Sequence, residues 1–271
     1  MSVQGYVLAP DGAPSDLGIV VLGGSSGRVD VDRAGLFTKH GATALAMRWF
    51  GGEGQSPGIC EIPLESFVEA TNLLVERGCK RIAFLGTSKG AEAALLAAAL
   101  DKRIDVVIGL SPTSVAWGQS GPGVDGQEWP VRSSWTLQGD PLPFVSYDVP
   151  WFLQQPQTKP VAYRPYHARS LQTFAADIEA ATIPVEETKA QIILVAGEDD
   201  MLWPSAVFAR ELAARRKDAI LVTHPRAGHR IVFPGEPMQP RPEARAWGGT
   251  DEADAELGAM AWAEIARVLK F

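Results

Sequence analysis

Short apolar runs alternate with longer amphipathic stretches along most of this chain. The run Gly18–Leu22 (GIVVL) contains only apolar residues, as expected for a strand that is buried on both faces of a sheet. The same criteria predict further strands at 4–9, 42–47, 81–85, 104–110, 191–196 and 219–223. They predict helices at 63–77, 88–100, 204–217 and 253–269. This alternation predicts an α/β fold in which helices cover both faces of a mostly parallel central sheet.

Length and charge narrow the classes of protein that fit. The chain has 271 residues, of which 46% are hydrophobic and 21% are charged, and this fits one large α/β domain over 1–271. The formal net charge of −7 argues against nucleic-acid binding, which needs a basic surface. An anionic small substrate is still compatible with this charge, because a few local Lys or Arg side chains can hold one.

The N-terminal sequence MSVQGYVLAPDGAPSD lacks the basic and apolar regions of a signal peptide. No stretch reaches the roughly 18 apolar residues that a membrane-spanning helix requires. Cys60 and Cys79 are too few for a disulfide framework, so two reduced thiols are expected. Together these features predict a cytoplasmic protein with no membrane partner.

The regular alternation stops between about Ala116 and Ile183. This stretch holds four of the eight tryptophans in the chain: Trp117, Trp129, Trp135 and Trp151. It is too aromatic to be a flexible linker. It is either an irregular excursion packed on the domain or a lid over a pocket. The two are compatible, because long insertions beside active sites often act as lids.

The residues 86–90, Gly-Thr-Ser-Lys-Gly, form a G-x-S-x-G motif. The motif alone is a weak signal, but here a predicted strand (RIAFL) leads into it and an Ala-rich helical pattern follows. This is the setting of a nucleophile elbow, in which a strained turn lifts the serine hydroxyl above the sheet. The hydroxyl also lies at a helix N-terminus, which favours negative charge. Ser88 is therefore the predicted nucleophile, and the alternative is a Gly-rich turn with an incidental serine.

A serine hydroxyl needs a base to take its proton, and the chain has four histidines. After a nucleophile elbow, the acid and then the base follow in chain order. His229 fits best, because it lies just beyond the strand at 219–223 and Gly228 allows a sharp turn before it. His224 is the rival, although its place at the end of the strand favours a structural role. His40 precedes the serine, and His167 lies in the irregular stretch.

The acid should follow the strand at 191–196, where the sequence reads GEDDMLWP. A common pattern here is G-x-x-D with a proline four residues later, which selects Asp200. Asp199 is the second choice, and Glu198 is expected to face solvent or a loop amide. The acid would hold the imidazole in the correct tautomer and stabilise its cation. The alternative is that this loop is only an acidic cap on the next helix.

An oxyanion hole is needed to stabilise the tetrahedral intermediate. One expected donor is the backbone N–H of Lys89, directly after the nucleophile. The other should come from the Gly-rich loop after GIVVL, with Ser25 as first choice and Gly24 as second. This loop lacks the G-K-[ST] ending of a phosphate-binding P-loop. The histidines and cysteines do not cluster at ligand spacings, so neither a metal nor another cofactor is predicted.

Further side chains are candidates for contacts with a substrate. The Lys89 side chain is expected to face solvent, although a phosphate-binding role is the alternative. Arg28 and Arg33 follow the Gly-rich loop and could face an anionic group. The other candidates are Trp117, Trp151 and His167, although tryptophans are more often part of a core.

Five segments resemble one known family in content and in order: FLGTSKGAEAALLAA, ATIPVE, LVAGEDDMLWPS, AGH and GGTDEADAELGAMAWAEIARVLKF. They resemble the C-terminal catalytic domain of the acyl-CoA thioesterase / bile acid-CoA:amino acid N-acyltransferase family, within the α/β-hydrolase superfamily. A more distant similarity is to dienelactone hydrolases. The resemblance covers most of the chain from Gly18 onward. It implies a Ser/Cys–Asp–His triad, which here falls on Ser88, Asp200 and His229.

Two departures from this family bear on the substrate. Typical members carry an N-terminal β-sandwich domain, whereas this chain starts at the catalytic domain. The stretch between Ala116 and Ile183, called the Trp-rich stretch below, also differs from the usual family segment at that place. The amidating branch of the family tends to use Cys as nucleophile, so Ser88 favours hydrolysis by water.

The resulting expectation is a hydrolase that cleaves a thioester or carboxylic ester through an acyl-enzyme, with an acyl ester or acyl-CoA as small-molecule partner. One alternative is a general carboxylesterase similar to dienelactone hydrolases. A second is an acyltransferase that uses an amine or alcohol acceptor. A third is a ligand-binding protein that kept the fold and lost the chemistry.

Overall fold

The fold was analysed on a computed structural model, which describes residues 3–156 and 158–271. Its strands are β1 (Gln4–Leu8), β2 (Leu17–Leu22), β3 (Thr43–Arg48), β4 (Ile62–Pro63), β5 (Arg81–Thr87), β6 (Ile104–Leu110), β7 (Trp135–Leu137), β8 (Asp140–Pro141), β9 (Gln191–Gly197) and β10 (Ile220–His224). Its α-helices are α1 (Val31–Thr38), α2 (Glu65–Glu76), α3 (Lys89–Leu100), α4 (Val149–Leu153), α5 (Arg164–Thr173), α6 (Ile178–Ala181), α7 (Ser205–Arg215) and α8 (Asp251–Leu269).

The main sheet has the strand order β1-β3-β2-β5-β6-β9-β10. Strand β1 pairs antiparallel with β3, and all other neighbours in this sheet are parallel. The carboxyl ends of the parallel strands therefore meet at one edge, where open α/β sheets place their binding sites. Strands β4, β7 and β8 form a separate small sheet.

Both faces of the main sheet are buried, which explains why its strands have continuous apolar sequences. Within β2, Val20 and Leu22 belong to one buried cluster, whereas Ile19 and Val21 belong to another on the opposite face. Helices α2, α3 and α7 pack into the first cluster, and α1 and α8 pack into the second. This alternation follows from the two-residue period of a strand. The predicted α/β-hydrolase-type fold is confirmed.

Most of the predicted elements are present with small shifts at their ends. The helix predicted from Pro63 begins at Glu65 instead, because Ile62 and Pro63 pair with Trp135 and Thr136 as β4 and β7. Helix α1 was not predicted from the sequence. Helix α3 has ten buried residues and is central, as its Ala-rich sequence indicates.

The stretch 116–183 is irregular but packed on the domain. Trp117 and Trp135 are fully buried, whereas the Trp129 side chain is 70% exposed. Trp117 packs in a buried cluster with Trp203 and Phe208, which lie outside the stretch. Large aromatic contacts of this kind hold an excursion against the body of a domain. None of the helices in the described residues has the length and hydrophobicity needed to cross a bilayer.

Candidate active site

Ser88 lies between β5 and α3 with φ 57° and ψ −121°, a conformation that L-residues rarely adopt. The glycines of the motif make this turn sterically feasible. A Cβ on Gly86 would lie 2.0 Å from the carbonyl oxygen of Gly90, and a Cβ on Gly90 would lie 2.5 Å from that of Gly23. The backbone N–H of Ser88 donates to Leu110 O at 2.8 Å, which ties the turn to β6. The geometry is that of a nucleophile elbow.

His229 and Asp200 form a hydrogen-bonded pair. The Nδ1 of His229 lies 2.8 Å from Oδ2 of Asp200. A carboxylate can only accept, so Nδ1 donates and Nε2 is left as the unprotonated nitrogen. His229 is 5% exposed and Asp200 is fully buried. Burial of both groups restricts the imidazole to one orientation.

The Asp200 carboxylate is saturated with hydrogen bonds. Its Oδ2 also accepts from the Ser205 hydroxyl at 2.6 Å. Its Oδ1 accepts from the backbone N–H groups of Leu202 at 2.9 Å and Trp203 at 3.3 Å. Donors of this kind stabilise the ionised form of a buried acid.

The two competing carboxylates of this loop have other partners. Asp199 Oδ2 accepts from the backbone N–H of Gly249 at 2.8 Å, and Glu198 forms an ion pair with Arg210. Among Glu198, Asp199 and Asp200, therefore, only Asp200 is hydrogen-bonded to His229.

The loop that carries His229 packs backbone against backbone. A Cβ on Gly228 would lie 2.3 Å from Gly248 O, so this position has no room for a side chain. The backbone N–H of His229 donates to Trp247 O at 2.9 Å. The carbonyl oxygen of His229 accepts from the Ser111 hydroxyl at 2.8 Å. These contacts fix the imidazole from the main chain as well as through Asp200.

The other histidines lie elsewhere. His224 is the last residue of β10, and its Nε2 lies 3.0 Å from a carboxylate oxygen of Glu256. His40 follows α1 and stacks on Phe271, with ring centroids 4.2 Å apart.

A cleft of about 370 Å³ brings the predicted residues together. Ser88, His229, Gly24, Ser25 and Arg28 all line it. Much of the remaining lining comes from a segment after the histidine, which we call the 230–247 wall: Arg230, Ile231, Val232, Glu236, Pro237, Gln239, Pro240, Pro242, Arg245 and Trp247.

The predicted oxyanion donors lie beside the nucleophile. A Cβ on Gly24 would lie 3.2 Å from the Cβ of Ser88, which shows how closely this loop approaches the serine. Ser25 is the next residue and is exposed. Lys89 is the first residue of α3, so its backbone N–H has no acceptor within the helix.

The expectation that the Lys89 side chain faces solvent is wrong. Lys89 is 3% exposed, and its Nζ donates to both carboxylate oxygens of Glu92, at 2.8 and 2.9 Å. It also donates to the Ser134 hydroxyl at 2.9 Å and lies 5.2 Å from the ring centroid of Trp135. Burial lowers the pKa of Lys89 and raises that of Glu92, while each charge partly offsets the shift of the other. The Lys89 side chain is thus enclosed beneath the Trp-rich stretch.

The two arginines after the Gly-rich loop already have carboxylate partners. Arg28 forms an ion pair with Asp30. Arg33 is buried, and its Nε and Nη2 donate to the two carboxylate oxygens of Glu236, at 2.5 and 2.9 Å. Its Nη1 donates to the hydroxyl of Thr87 at 2.9 Å. Arg33 therefore joins the 230–247 wall to the elbow.

Three candidate substrate contacts, Trp117, Trp151 and His167, do not line this cleft. Trp117 is core, and its indole N–H donates to Thr113 Oγ1 at 3.0 Å. The backbone N–H of Trp151 donates to Asp148 at the start of α4. No other described residue of 116–183 lines the cleft either, so in this structure the Trp-rich stretch packs beside the elbow without covering it.

His167 packs between the stretch and the acid loop. Its ring centroid is 4.9 Å from that of Trp117 and 5.6 Å from that of Trp203. Its Nδ1 lies 3.0 Å from Tyr163 O. Burial lowers the pKa of His167 to about 4, so this histidine is neutral at pH 7.

Some residues of the site carried no sequence signal. Glu92 lies inside an apolar helical pattern, and apart from Lys89 its partners, Trp117 and Trp135, lie at least 25 residues further along the chain. Ser205 could have been found, because a serine directly after the acid loop and before a helix can bond to the acid. Arg230 is adjacent to the predicted base and could have been considered for that reason.

Across 3–156 and 158–271, His, Cys, Asp and Glu side chains form no group of three with metal-site geometry.

Comparison with known families finds one whose model matches most of the chain. Residues 62–270 match the family "BAAT / Acyl-CoA thioester hydrolase C terminal". The chain belongs to this family. The resemblance inferred from the sequence motifs is thereby confirmed.

Curated relatives come from both thioesterases and acyltransferases. The chain is 24% identical to mouse peroxisomal succinyl-coenzyme A thioesterase, over 97% of this chain and 62% of that protein. It is 25% identical to mouse acyl-coenzyme A amino acid N-acyltransferase 1, over 99% of this chain and 62% of that protein. The chain is 24% identical to human acyl-coenzyme A thioesterase 1, over 97% of this chain and 62% of that protein. The chain thus spans about three fifths of the length of these relatives.

Solved structures support the fold alone. A Mycobacterium tuberculosis puromycin-hydrolysing peptidase has a TM-score of 0.56 at 17% identity, over 97% of this chain and 36% of that one. A candidate dienelactone hydrolase from Klebsiella pneumoniae has a TM-score of 0.53 at 13% identity, over 98% of both chains. Both similarities extend over nearly all of the present chain.

Proposed function

We propose that this protein is a serine hydrolase that cleaves an ester or thioester bond, with Ser88 as nucleophile, His229 as base and Asp200 as the supporting acid. The observation that carries the proposal is the 2.8 Å contact between His229 Nδ1 and Asp200, with His229 lining the same cleft as the strained Ser88. Nucleophile, base and orienting acid are the three parts that this chemistry requires.

In the first half of the reaction, Ser88 Oγ attacks the carbonyl carbon and its proton passes to Nε2 of His229. The carbonyl oxygen becomes an oxyanion, which the backbone N–H of Lys89 and that of Ser25 or Gly24 would stabilise. When the tetrahedral intermediate collapses, the C–S or C–O bond breaks and the leaving group takes the proton from Nε2. The acyl group is then esterified to Ser88.

In the second half, a water molecule attacks the acyl-enzyme and gives its proton to Nε2 of His229. The bond to Ser88 Oγ breaks, and Oγ recovers the proton from Nε2. Asp200 stabilises the imidazolium in both halves and is not itself protonated. The free acid leaves and the enzyme is restored.

An acyl-CoA is the proposed substrate class, because the family and its relatives carry that name. The cleft volume of about 370 Å³ is near the lower end of ligand pockets, which span roughly 300–1,000 Å³. A small carboxylic ester is the alternative substrate.

The predicted cytoplasmic location stays a prediction, since relatives include proteins named as peroxisomal and mitochondrial.

Acyl transfer to an amine is the second candidate function, because three relatives are named as amino acid N-acyltransferases. In this reaction an amine, instead of water, would attack the acyl-enzyme. Addition of an amino acid acceptor would then shift the product from free acid to amide. A constant yield of free acid at all acceptor concentrations would reject this candidate.

The proposal is tested with purified wild type and Ser88→Ala. We expect a fluorophosphonate probe to label wild type only, and Ser88→Ala to lose roughly 10³- to 10⁶-fold in kcat. The substrates are acyl-CoAs of increasing chain length and short nitrophenyl esters. Activity on esters alone would remove the thioesterase assignment, and full activity of Ser88→Ala would remove the proposed nucleophile.

A further inference from the structure

Arg230, the residue directly after the proposed base, lines the cleft and lacks the acceptors that a buried guanidinium normally has. Its side chain is 13% exposed. Its Nη2 contacts only the thioether sulfur of Met238, at 2.7 Å, and its buried Nη1 has no hydrogen-bond partner. Thioether sulfur is a weak acceptor, so Met238 compensates little of the positive charge. Buried N–H groups without a hydrogen-bond acceptor are rare in native proteins, so this one calls for an explanation.

The nearest carboxylates are held by another arginine. Asp251 Oδ1 lies 3.6 Å from Arg230, beyond hydrogen-bond distance. Arg241 instead donates to that oxygen at 2.9 Å and to Asp254 Oδ2 at 2.9 Å. Burial lowers the pKa of Arg230 and the charge of Arg241 lowers it further, whereas Asp251 and Asp254 raise it in part. Arg230 therefore shares a carboxylate at salt-bridge distance with Arg241 but has no hydrogen-bonded carboxylate of its own.

A second cleft arginine, Arg245, likewise has no hydrogen-bonded carboxylate among the described residues. Arg245 lines the same cleft and its guanidinium carbon lies 6.0 Å from the ring centroid of Tyr163. Among the described residues it forms no ion pair. By contrast, Arg28 and Arg33 in this cleft are paired with Asp30 and Glu236. The cleft arginines without a hydrogen-bonded carboxylate are therefore both on the 230–247 wall.

We propose that Arg230, with Arg245, binds an anionic oxygen group of the substrate while Ser88 attacks its carbonyl. The group would replace the Met238 sulfur at Arg230 and accept charge-assisted hydrogen bonds from the guanidinium. Two sources share this chemistry: a carboxylate at the far end of the acyl chain, and a phosphate of the leaving group. The inference rests on the proposed function for its catalytic context.

Two substrate pairs distinguish the sources. The first pair is 4-nitrophenyl hydrogen glutarate and its methyl ester, which differ in the charge at the far end of the acyl chain. The second pair is butyryl-CoA and S-butyryl pantetheine, which differ in the phosphates of the leaving group. For each pair the readout is the ratio of kcat/KM for the anionic over the neutral or less charged member.

We expect Arg230→Gln to lower this ratio roughly 10- to 100-fold in the pair that contains the recognised anion, because a hydrogen bond to a charged group is lost. Arg230→Lys keeps the charge and should lose less of the ratio. Arg245→Gln should lower the ratio in the same pair. The control is Arg267→Gln, which removes one exposed arginine of α8 and should leave both ratios as in wild type. Unchanged ratios in both pairs for Arg230→Gln would overturn the inference.

A binding measurement keeps the inference separate from catalysis. Calorimetric titration of wild type with glutarate and with CoA should show binding of at least one, weakened roughly tenfold or more in Arg230→Gln. Equal affinities in the two proteins, or no binding of either probe to wild type, would overturn it.

If wild type cleaves neither substrate pair, the proposed function fails, while the titration still decides on the anion site. If Arg230→Gln does not fold, Arg230→Lys and Arg245→Gln are compared instead.

Discussion

Two buried carboxylates flank the elbow of Ser88, and each is fully engaged. Asp200 accepts from His229, from Ser205 and from two backbone N–H groups. Glu92 accepts twice from Lys89, once from the backbone of Trp117 and once from the indole of Trp135 at 2.6 Å. The number of hydrogen bonds does not distinguish the two sites.

The difference lies in where the cationic or basic partner faces. His229 lines the cleft, where the proposed mechanism places its proton transfers. Lys89 is enclosed by Ser134 and Trp135, so its ammonium connects α3 to the Trp-rich stretch. Under the proposed function, a buried, saturated carboxylate thus supports catalysis at one site and attaches the Trp-rich stretch at the other.

Asp200→Asn should have the largest effect on the cleft side. An amide at this place cannot hold the His229 tautomer that leaves Nε2 unprotonated, so kcat should fall roughly 10³- to 10⁴-fold. Initial rates of nitrophenyl ester or acyl-CoA hydrolysis measure this. The matched control is Asp199→Asn, one residue away, which should lose less than about tenfold. A larger loss in Asp199→Asn than in Asp200→Asn would contradict the assignment of the acid.

Glu92→Gln should act on stability instead of chemistry. It leaves the buried ammonium of Lys89 without a counter-charge, so the free energy of unfolding should fall by about 3 kcal/mol. Urea unfolding followed by tryptophan fluorescence measures this. Adding Lys89→Met should recover part of the loss, because the unpaired charge is removed.

The control for this variant is Glu264→Gln, which removes one partner of an exposed ion pair with Arg267. It should change the free energy of unfolding by less than about 1 kcal/mol. If Glu92→Gln is no more destabilised than Glu264→Gln, the buried pair does not attach the Trp-rich stretch as described.

His167 should give an effect on stability that appears only at acidic pH. Its pKa is about 4 in the folded protein against about 6.5 in an unfolded chain. A lowered pKa contributes stability that is present above pH 6.5 and is lost as the pH falls through 4. The wild type should therefore lose up to about 3 kcal/mol more than His167→Phe between pH 6.5 and 4. Parallel stability curves for the two proteins would show that His167 does not titrate in this way.

The main sheet could be predicted because its information is local. Runs such as GIVVL and RIAFL indicate buried strands, and the strand–motif–helix order around Ser88 indicates an elbow. The pattern G-x-x-D followed by proline selected Asp200 over Asp199, and the structure pairs Asp200 with His229.

The side chain of Lys89 could not be predicted in the same way. Its surroundings include Ser134 and Trp135, which lie about 45 residues further along the chain. The walls of the cleft present the same difficulty. The sequence left open whether the Trp-rich stretch is a packed excursion or a lid, and much of the lining comes from residues 230–247, whose sequence has no helical or strand period. Such non-local contacts depend on how a segment packs, and single-sequence patterns contain little information about this.

The tight contact at Gly228 has a consequence for how this protein could change. A Cβ at this position would meet the main chain of Trp247 and Gly248, so nearly any larger residue there would displace the loop that carries His229. The segment 234–244 contains many exposed residues, although Glu236 and Arg241 within it are held by ion pairs. New specificities, whether natural or engineered, should therefore arise by substitution along that segment, while the surroundings of position 228 stay as they are.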